Sequence, residues 1–315
     1  MKILFMGTPD FAVGSLRALV EAGHELVAVV TQPDKAKGRS DKLIPTPVKE
    51  AALEYNIPVL QPVKIKTPEA VAMLRDYPAD VYVVAAFGQI LSREILDMPR
   101  YGCLCVHGSL LPKYRGASPM QHAIIQGETV TGITIMQMDA GVDTGDMLYK
   151  KEVEITNEDN YETLHDKMMA AGGKAITEAL ALLEQGKLHP EKQKDEESNY
   201  APLIKKEMGR IDFSKSAVEL DRLIRGLTPW PSAFTGYKGK QLKLWRAYPM
   251  EEHPGGRKPG EIIEVTRDSV SVQCGEGSLR ITELQLEGKK RMSARDFLLG
   301  VKMCVGEYLE MTGGK

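Results

Sequence analysis

The chain has 315 residues, 43% hydrophobic and 27% charged, with a net charge of −2. That length is too great for one ordinary core and predicts two domains in a soluble globular protein. No apolar run approaches the roughly 20 residues that span a bilayer, and the near-neutral charge means that a nucleic-acid partner must be met by a local patch.

The opening MKILFMGTPDF lacks the long apolar region and small-residue cleavage site of a signal peptide, and reads as a first strand running into a turn. After KILFMG, the runs ELVAVVT, IPVLQP, ADVYVVAAF and CLCVH read as strands rich in Val, Ile and Leu. Between them FAVGSLRALVEAG, PVKEAALEYN and TPEAVAMLRD have helical spacing. Such alternation predicts an α/β fold, a Rossmann-like and mostly parallel sheet with helices on both faces. TGITIMQM and MLYKKEVEI add two strands, and residues 160–186 read as a long amphipathic helix with a Gly-Gly interruption.

KQKDEESNYAP is polar and predicts a linker, so the expected division is 1–190, a linker over 191–205, and 206–315. In the last part the helical SAVELDRLIRGL leads to LTPWPSAF, then to short strands at QLKLWRAYP, GEIIEVT, SVSVQCG and SLRITELQLEG. Their spacing and glycine-rich turns predict a small β-barrel, of which an OB-like barrel is one version. From Lys206 onward there are 19 Lys and Arg against 15 Asp and Glu, whereas the remainder has 22 against 28. The two parts therefore differ in sign.

Four cysteines make no disulfide framework, and neither CxxC pairs nor clustered histidines suggest zinc. A reduced, cytoplasmic protein without a structural metal is expected. Only Gly7 stands where a dinucleotide site would want GxGxxG, which argues against a nicotinamide cofactor. The turn after it reads as strand-to-helix, with Pro9 near the helix start.

Three segments carry chemistry. His107 ends a predicted central strand, where open α/β sheets bind ligands, and is followed by the loop GSLLPKYRGASP, which bears Lys113 and Arg115. Asp139, Asp143 and Asp146 share the loop QMDAGVDTGDML, which reads as a turn with self-capping aspartates or as a source of one aspartate for His107. Such an aspartate would orient the imidazole and complete an acid–base pair able to stabilise an oxyanion and move a proton. The basic loop 31–49, with Lys35, Lys37, Arg39, Lys42 and Lys49, is too long for an ordinary connection. It is either a solvated loop or a finger that engages phosphates.

HGSLLPKYRG at 107–116, DAGVDTGDM at 139–147 and VVAAFGQIL at 83–91 resemble the folate-dependent formyltransferases. Within that family GTPDFA, QPDKAKGRSDKLIPTPVK, RIDFS, TPWPSAF and GKKRMSA are most similar to members whose acceptor is methionyl initiator tRNA, and the resemblance runs essentially from end to end. It implies transfer of the formyl group of 10-formyltetrahydrofolate to the α-amine of methionine on that tRNA. By the same resemblance His107 and Asp143 are catalytic, and Cys105 stands where the family carries an asparagine that donates to the oxyanion. A thiol is a weak donor, so reduced activity is expected. The resemblance further implies folate contacts from Phe87, Gly88, Gln89, Ile90, Leu91, Ser109, Leu110, Leu111, Pro112, Asp139 and Asp143. It assigns Lys35, Lys37, Arg39 and Lys42 to the tRNA acceptor stem, and makes Lys206, Arg210, Lys240, Lys243, Lys289, Lys290 and Arg291 candidates for phosphate contacts. A monomer is expected. An amino-sugar acceptor, release of formate to water, and a non-catalytic folate- or tRNA-binding protein are the competing readings.

Overall fold

KILFMG is apolar at nearly every position, as a strand covered on both faces must be. It forms β1 (Lys2–Gly7), with Ile3, Leu4, Phe5 and Met6 all fully buried. The computed structural model describes residues 1–36, 43–251 and 256–310. After β1 come α1 (Asp10–Glu21), β2 (Glu25–Val30), the two-residue strands β3 (Lys35–Ala36) and β4 (Leu43–Ile44), α2 (Pro47–Glu54), β5 (Val59–Leu60) and α3 (Pro68–Arg75). Then follow β6 (Val81–Ala85), α4 (Arg93–Leu96), β7 (Cys103–His107), α5 (Pro119–Gln126), β8 (Val130–Gln137), β9 (Met147–Glu154) and α6 (Tyr161–Glu184). Helices α2 and α3 start alike: a threonine hydroxyl (Thr46 or Thr67) caps the first turn and a proline takes the first helical position.

The seven-stranded sheet has the order β5-β2-β1-β6-β7-β8-β9. Its first five strands are parallel, and β8 and β9 run antiparallel to their neighbours. The expected mostly parallel sheet with flanking helices is what forms. The antiparallel β8–β9 pair allows a short connection, and that connection is the aspartate loop. From β1 the strand order runs outward to β5 and then returns to place β6 on the other side of β1. The crevice past the C-terminal ends of β1 and β6 is thus the switch point at which such sheets bind ligands.

Two expectations need correction. The Gly-Gly pair does not interrupt α6, which runs unbroken through it. A Cβ on Gly173 would come within 2.8 Å of the Gly14 carbonyl oxygen, and one on Gly14 within 2.6 Å of the Met169 carbonyl oxygen. The glycines therefore let α1 and α6 cross at backbone contact. Nor is the whole of 191–205 a linker, because residues 165–201 fall within the first compact unit, together with 1–119 and 130–154. Glu191 exchanges both backbone hydrogen bonds with Met147, and Asn199 and Ala201 bond to Arg115. The polar side chains of this stretch serve hydrogen bonds as well as solvent.

The second unit comprises 120–129, 155–164 and 202–315. It contains α7 (Ala217–Leu227), β10 (Ala233–Tyr237), β11 (Lys240–Met250), β12 (Ile262–Val265), β13 (Val270–Gln273), β14 (Ser278–Leu286), β15 (Met292–Ser293) and α8 (Ala294–Gly300). Strand β10 lay hidden because AFTGY follows two prolines and contains a glycine. The antiparallel order is β10-β11-β14-β13-β12, with β15 on β14. Both edges bond to one C-terminal segment: Gly236 of β10 pairs with Glu310, and Ile262 of β12 bonds to Glu307 and Gly306. The sheet thus closes around a core that includes Leu220, Ile224, Leu242, Leu244, Val272 and Leu284.

Candidate active site

Side chains alternate along β7, so Cys103, Cys105 and His107 share one face while Leu104 and Val106 take the other. Val106 packs at Gly172 of α6. On the opposite face Cys105 pairs with Met136 and His107 with Thr134 of β8. His107 is only 6% exposed. Its Nε2 lies 3.0 Å from the Tyr114 carbonyl oxygen. A carbonyl can only accept, so Nε2 carries the proton. Nδ1 then faces Asp143 Oδ1 at 3.6 Å, within electrostatic reach but beyond hydrogen-bond length. Asp143 thus faces the ring without bonding to it, and the ring's direct hydrogen-bond partner is Tyr114.

The loop after His107 is latched from below. Thr134 Oγ1 donates to the Ser109 carbonyl at 2.7 Å and accepts from the Leu111 N–H at 3.0 Å. Ser109 Oγ donates to the Lys113 carbonyl at 2.6 Å. Ser109 and Leu111 are buried, so their side chains shape the loop. Two non-glycine residues beside His107 hold left-handed backbones, Tyr114 at φ 60° and Asp143 at φ 56°. Such conformations cost about 1 kcal/mol or more and persist only where neighbours enforce them.

The three loop carboxylates are distinct. Asp143 Oδ2 accepts from the Gly116 N–H at 2.8 Å, which aims the other oxygen at His107. Asp139 caps its own loop, accepting from the Gly141 N–H at 3.0 Å and the Thr144 hydroxyl at 2.8 Å. Asp146 lies 3.5 Å from Lys192. Among the described residues no group of three His, Cys, Asp or Glu side chains is placed to hold a metal ion.

Cys105 is half-buried against the apolar cluster of Leu111, Met136 and Met147. Burial, followed by the nearby Asp143 carboxylate, pushes its thiol well above the ordinary range. A raised thiol pKa lowers the thiolate fraction on which cysteine reactivity depends.

At the switch point Ala86 (φ 45°) and Gly88 (φ 80°) turn the chain after β6. The Phe87 carbonyl accepts from Thr8 Oγ1 and Gln32 Nε2, both at 3.1 Å, and its ring is buried. Gln89 turns its amide to Ile65 and Val63. Leu91 is buried, whereas Ile90 is 62% exposed. An open cavity of about 740 Å³ is lined by Leu110, Leu111, Pro112, Lys113, Lys150, Glu152 and Glu197. It includes neither His107 nor Asp143, so volume alone does not mark the reacting centre.

Lys35 is exposed in β3, while Lys37, Arg39 and Lys42 lie outside the described residues. In the second unit Lys206, Arg210, Lys240, Lys289 and Lys290 are exposed and Lys243 half-buried. Arg291 differs from these. It makes a two-pronged bond to Glu283 at 2.6 and 2.7 Å and stacks 4.5 Å from the centre of Trp245, with Lys243 5.7 Å from the same ring. Much of its hydrogen-bonding capacity is committed inside the protein. Sequence reasoning missed Tyr114, Thr134, Gln193 and Asn199, whose contributions run through backbone groups that no side-chain pattern reveals.

Residues 1–180 match the formyl transferase family and residues 203–302 its C-terminal domain. The methionyl-tRNA formyltransferase of Caldanaerobacter subterraneus subsp. tengcongensis is 51% identical over 98% of this chain and 100% of its own length. That of Geobacter metallireducens is 51% identical over 96% of each. Among solved structures, the sugar 3N-formyl transferase WlaRD superposes with a TM-score of 0.66 at 20% identity, covering 92% of this chain and 99% of that one. HypX from Aquifex aeolicus in complex with tetrahydrofolic acid gives 0.64 at 20% identity, covering 98% and 51%. The chain belongs to the formyl transferase family.

Proposed function

We propose that this chain transfers the formyl group of 10-formyltetrahydrofolate to the α-amine of methionine esterified to initiator tRNA. One observation carries the reading: the buried His107 faces Asp143 at the C-terminal end of β7, in a chain about half identical, over nearly its whole length, to methionyl-tRNA formyltransferases. The amine attacks the formyl carbon and a tetrahedral oxyanion develops. His107 takes the amine's proton at Nδ1, the resulting imidazolium stabilises that oxygen, and Asp143 balances its charge and helps carry the proton on towards the leaving folate nitrogen. With Nε2 held by Tyr114, Nδ1 is the nitrogen that exchanges a proton on the Asp143 side.

Residues 1–190 bind the donor and perform the chemistry in this reading. The 87–91 segment at the switch point, Leu110 and Pro112 of the latched loop and the 139–143 turn receive folate, with Ser109 and Leu111 holding the loop's shape. The segment from Lys35 through Lys37, Arg39 and Lys42 engages the acceptor stem, and residues 206–315 engage its phosphates through exposed lysines. Cys105 supplies a weaker oxyanion donor than asparagine, so turnover is slow. A cytoplasmic monomer suits this role. The test is formyl transfer to methionyl initiator tRNA by the parent and by His107→Ala: transfer that survives unchanged in the variant rules the site out.

A further inference from the structure

The polar stretch 193–199 enters the first unit at the two strained residues flanking His107. Tyr114 and Asp143 are both left-handed, and each has a backbone group bonded to a side chain of this stretch. Asn199 Oδ1 accepts from the Tyr114 N–H. Gln193 Nε2 donates to the carbonyls of Asp143 at 2.9 Å and Gly145 at 2.8 Å. The Gln193 Oε1 accepts from Arg115 Nε at 2.9 Å, and Arg115 reaches Asp195 through Nη2 at 2.9 Å. Chemistry settles both amide orientations, because carbonyls only accept and N–H groups only donate.

These bonds lead to His107 from two sides. On one side Asn199 holds Tyr114, whose carbonyl accepts from His107 Nε2. On the other Gln193 holds Asp143, whose carboxylate faces His107 Nδ1. The Gln193–Arg115 bond joins the aspartate loop to the histidine loop. We infer that Gln193 and Asn199 are positioning residues for formyl transfer, keeping Tyr114 and Asp143 in the backbone conformations that aim both at His107. The inference deepens the proposed function and rests on its reading of His107 and Asp143.

The two residues act with opposite polarity, and this makes the test specific. Asn199 serves as an acceptor, so Asn199→Asp keeps the bond and Asn199→Ala loses it. Gln193 serves chiefly as a donor, so Gln193→Glu loses both carbonyl bonds as fully as Gln193→Ala. Steady-state transfer should show kcat lowered about ten- to a hundredfold in Asn199→Ala, Gln193→Ala and Gln193→Glu. KM for tRNA should move less than about threefold, because the groups displaced belong to the reacting centre and not to the surfaces assigned to the acceptor. Asn199→Asp should recover kcat to within about threefold of the parent. Thermal melts and active-site titration of each variant report the folded fraction. Losses that match a lower folded fraction, or equal losses in Asn199→Asp and Asn199→Ala, overturn the inference. Parental kcat in all four variants beside an inactive His107→Ala overturns it while leaving the proposed function standing. No transfer by the parent removes both.

Discussion

The two units hold their candidate functional side chains in opposite ways. In the first, His107 is buried and bonds to Tyr114, while the Asp143 that faces it is held by Gly116 and Gln193, and both Tyr114 and Asp143 are left-handed. In the second, most of the candidate cations stand exposed on a closed antiparallel sheet. The chemistry that the proposed function assigns to each explains the contrast. Proton transfer needs reacting groups held to within about half an ångström, whereas a phosphate backbone is met by charge that tolerates mobile side chains. Arg291 stands between the two styles, being a cation of the second unit pinned by Glu283 and Trp245.

The contrast predicts large, kcat-centred effects in the first unit and graded, salt-dependent ones in the second. Replacing His107 by Ala should lower kcat by about 10²–10⁴, the usual contribution of a positioned acid–base group. Cys105→Asn should raise it by about 10- to 100-fold, because an amide restores an oxyanion donor that the thiol supplies poorly. An unchanged rate in that variant means that backbone groups or water already fill the role. Lys289→Ala with Lys290→Ala should act through KM for tRNA, raising it several-fold and flattening its salt dependence by about one unit of log–log slope per lysine. A kcat effect instead would break the division between the units. Arg39→Ala should relax selection among tRNAs, which a panel of competing acceptors would reveal.

The smallest effect concerns closure of the second unit. Glu307 accepts from Tyr237 at 2.7 Å and from the Cys304 N–H at 3.1 Å, and pairs with Lys238 at 2.8 Å. Lys238, then Tyr237 and the Cys304 N–H, hold its carboxyl down to about 2. A lowered carboxylate stabilises the fold fully above its unfolded value and loses that contribution as pH falls through the folded one. Glu307→Gln should therefore lower Tm by on the order of a few degrees at neutral pH, and the two proteins' melting points should converge as pH falls from about 5 towards 2.

The sheet was legible because its strands are apolar runs separated by helical patterns, and those patterns report burial directly. His107 was legible by position, at the end of CLCVH before a loop rich in proline and glycine. Asp143 was legible only as one of three aspartates until the resemblance singled it out; the structure separates them by what each accepts from. The role of 193–199 was not legible. Gln193 and Asn199 act on backbone groups distant in sequence, and a polar stretch that bonds to loops looks like one that faces solvent. Likewise the glycines of α6 looked like a break, because sequence does not show that Gly14 lies against them.

The most direct measurement is single-turnover transfer from 10-formyltetrahydrofolate to methionyl initiator tRNA, comparing the parent, Cys105→Asn and His107→Ala. A formyltransferase that works through His107 and lacks one oxyanion donor should formylate slowly as the parent, faster as Cys105→Asn, and hardly at all as His107→Ala. Formylation that proceeds equally in His107→Ala, or none in either the parent or Cys105→Asn, would contradict that mechanism.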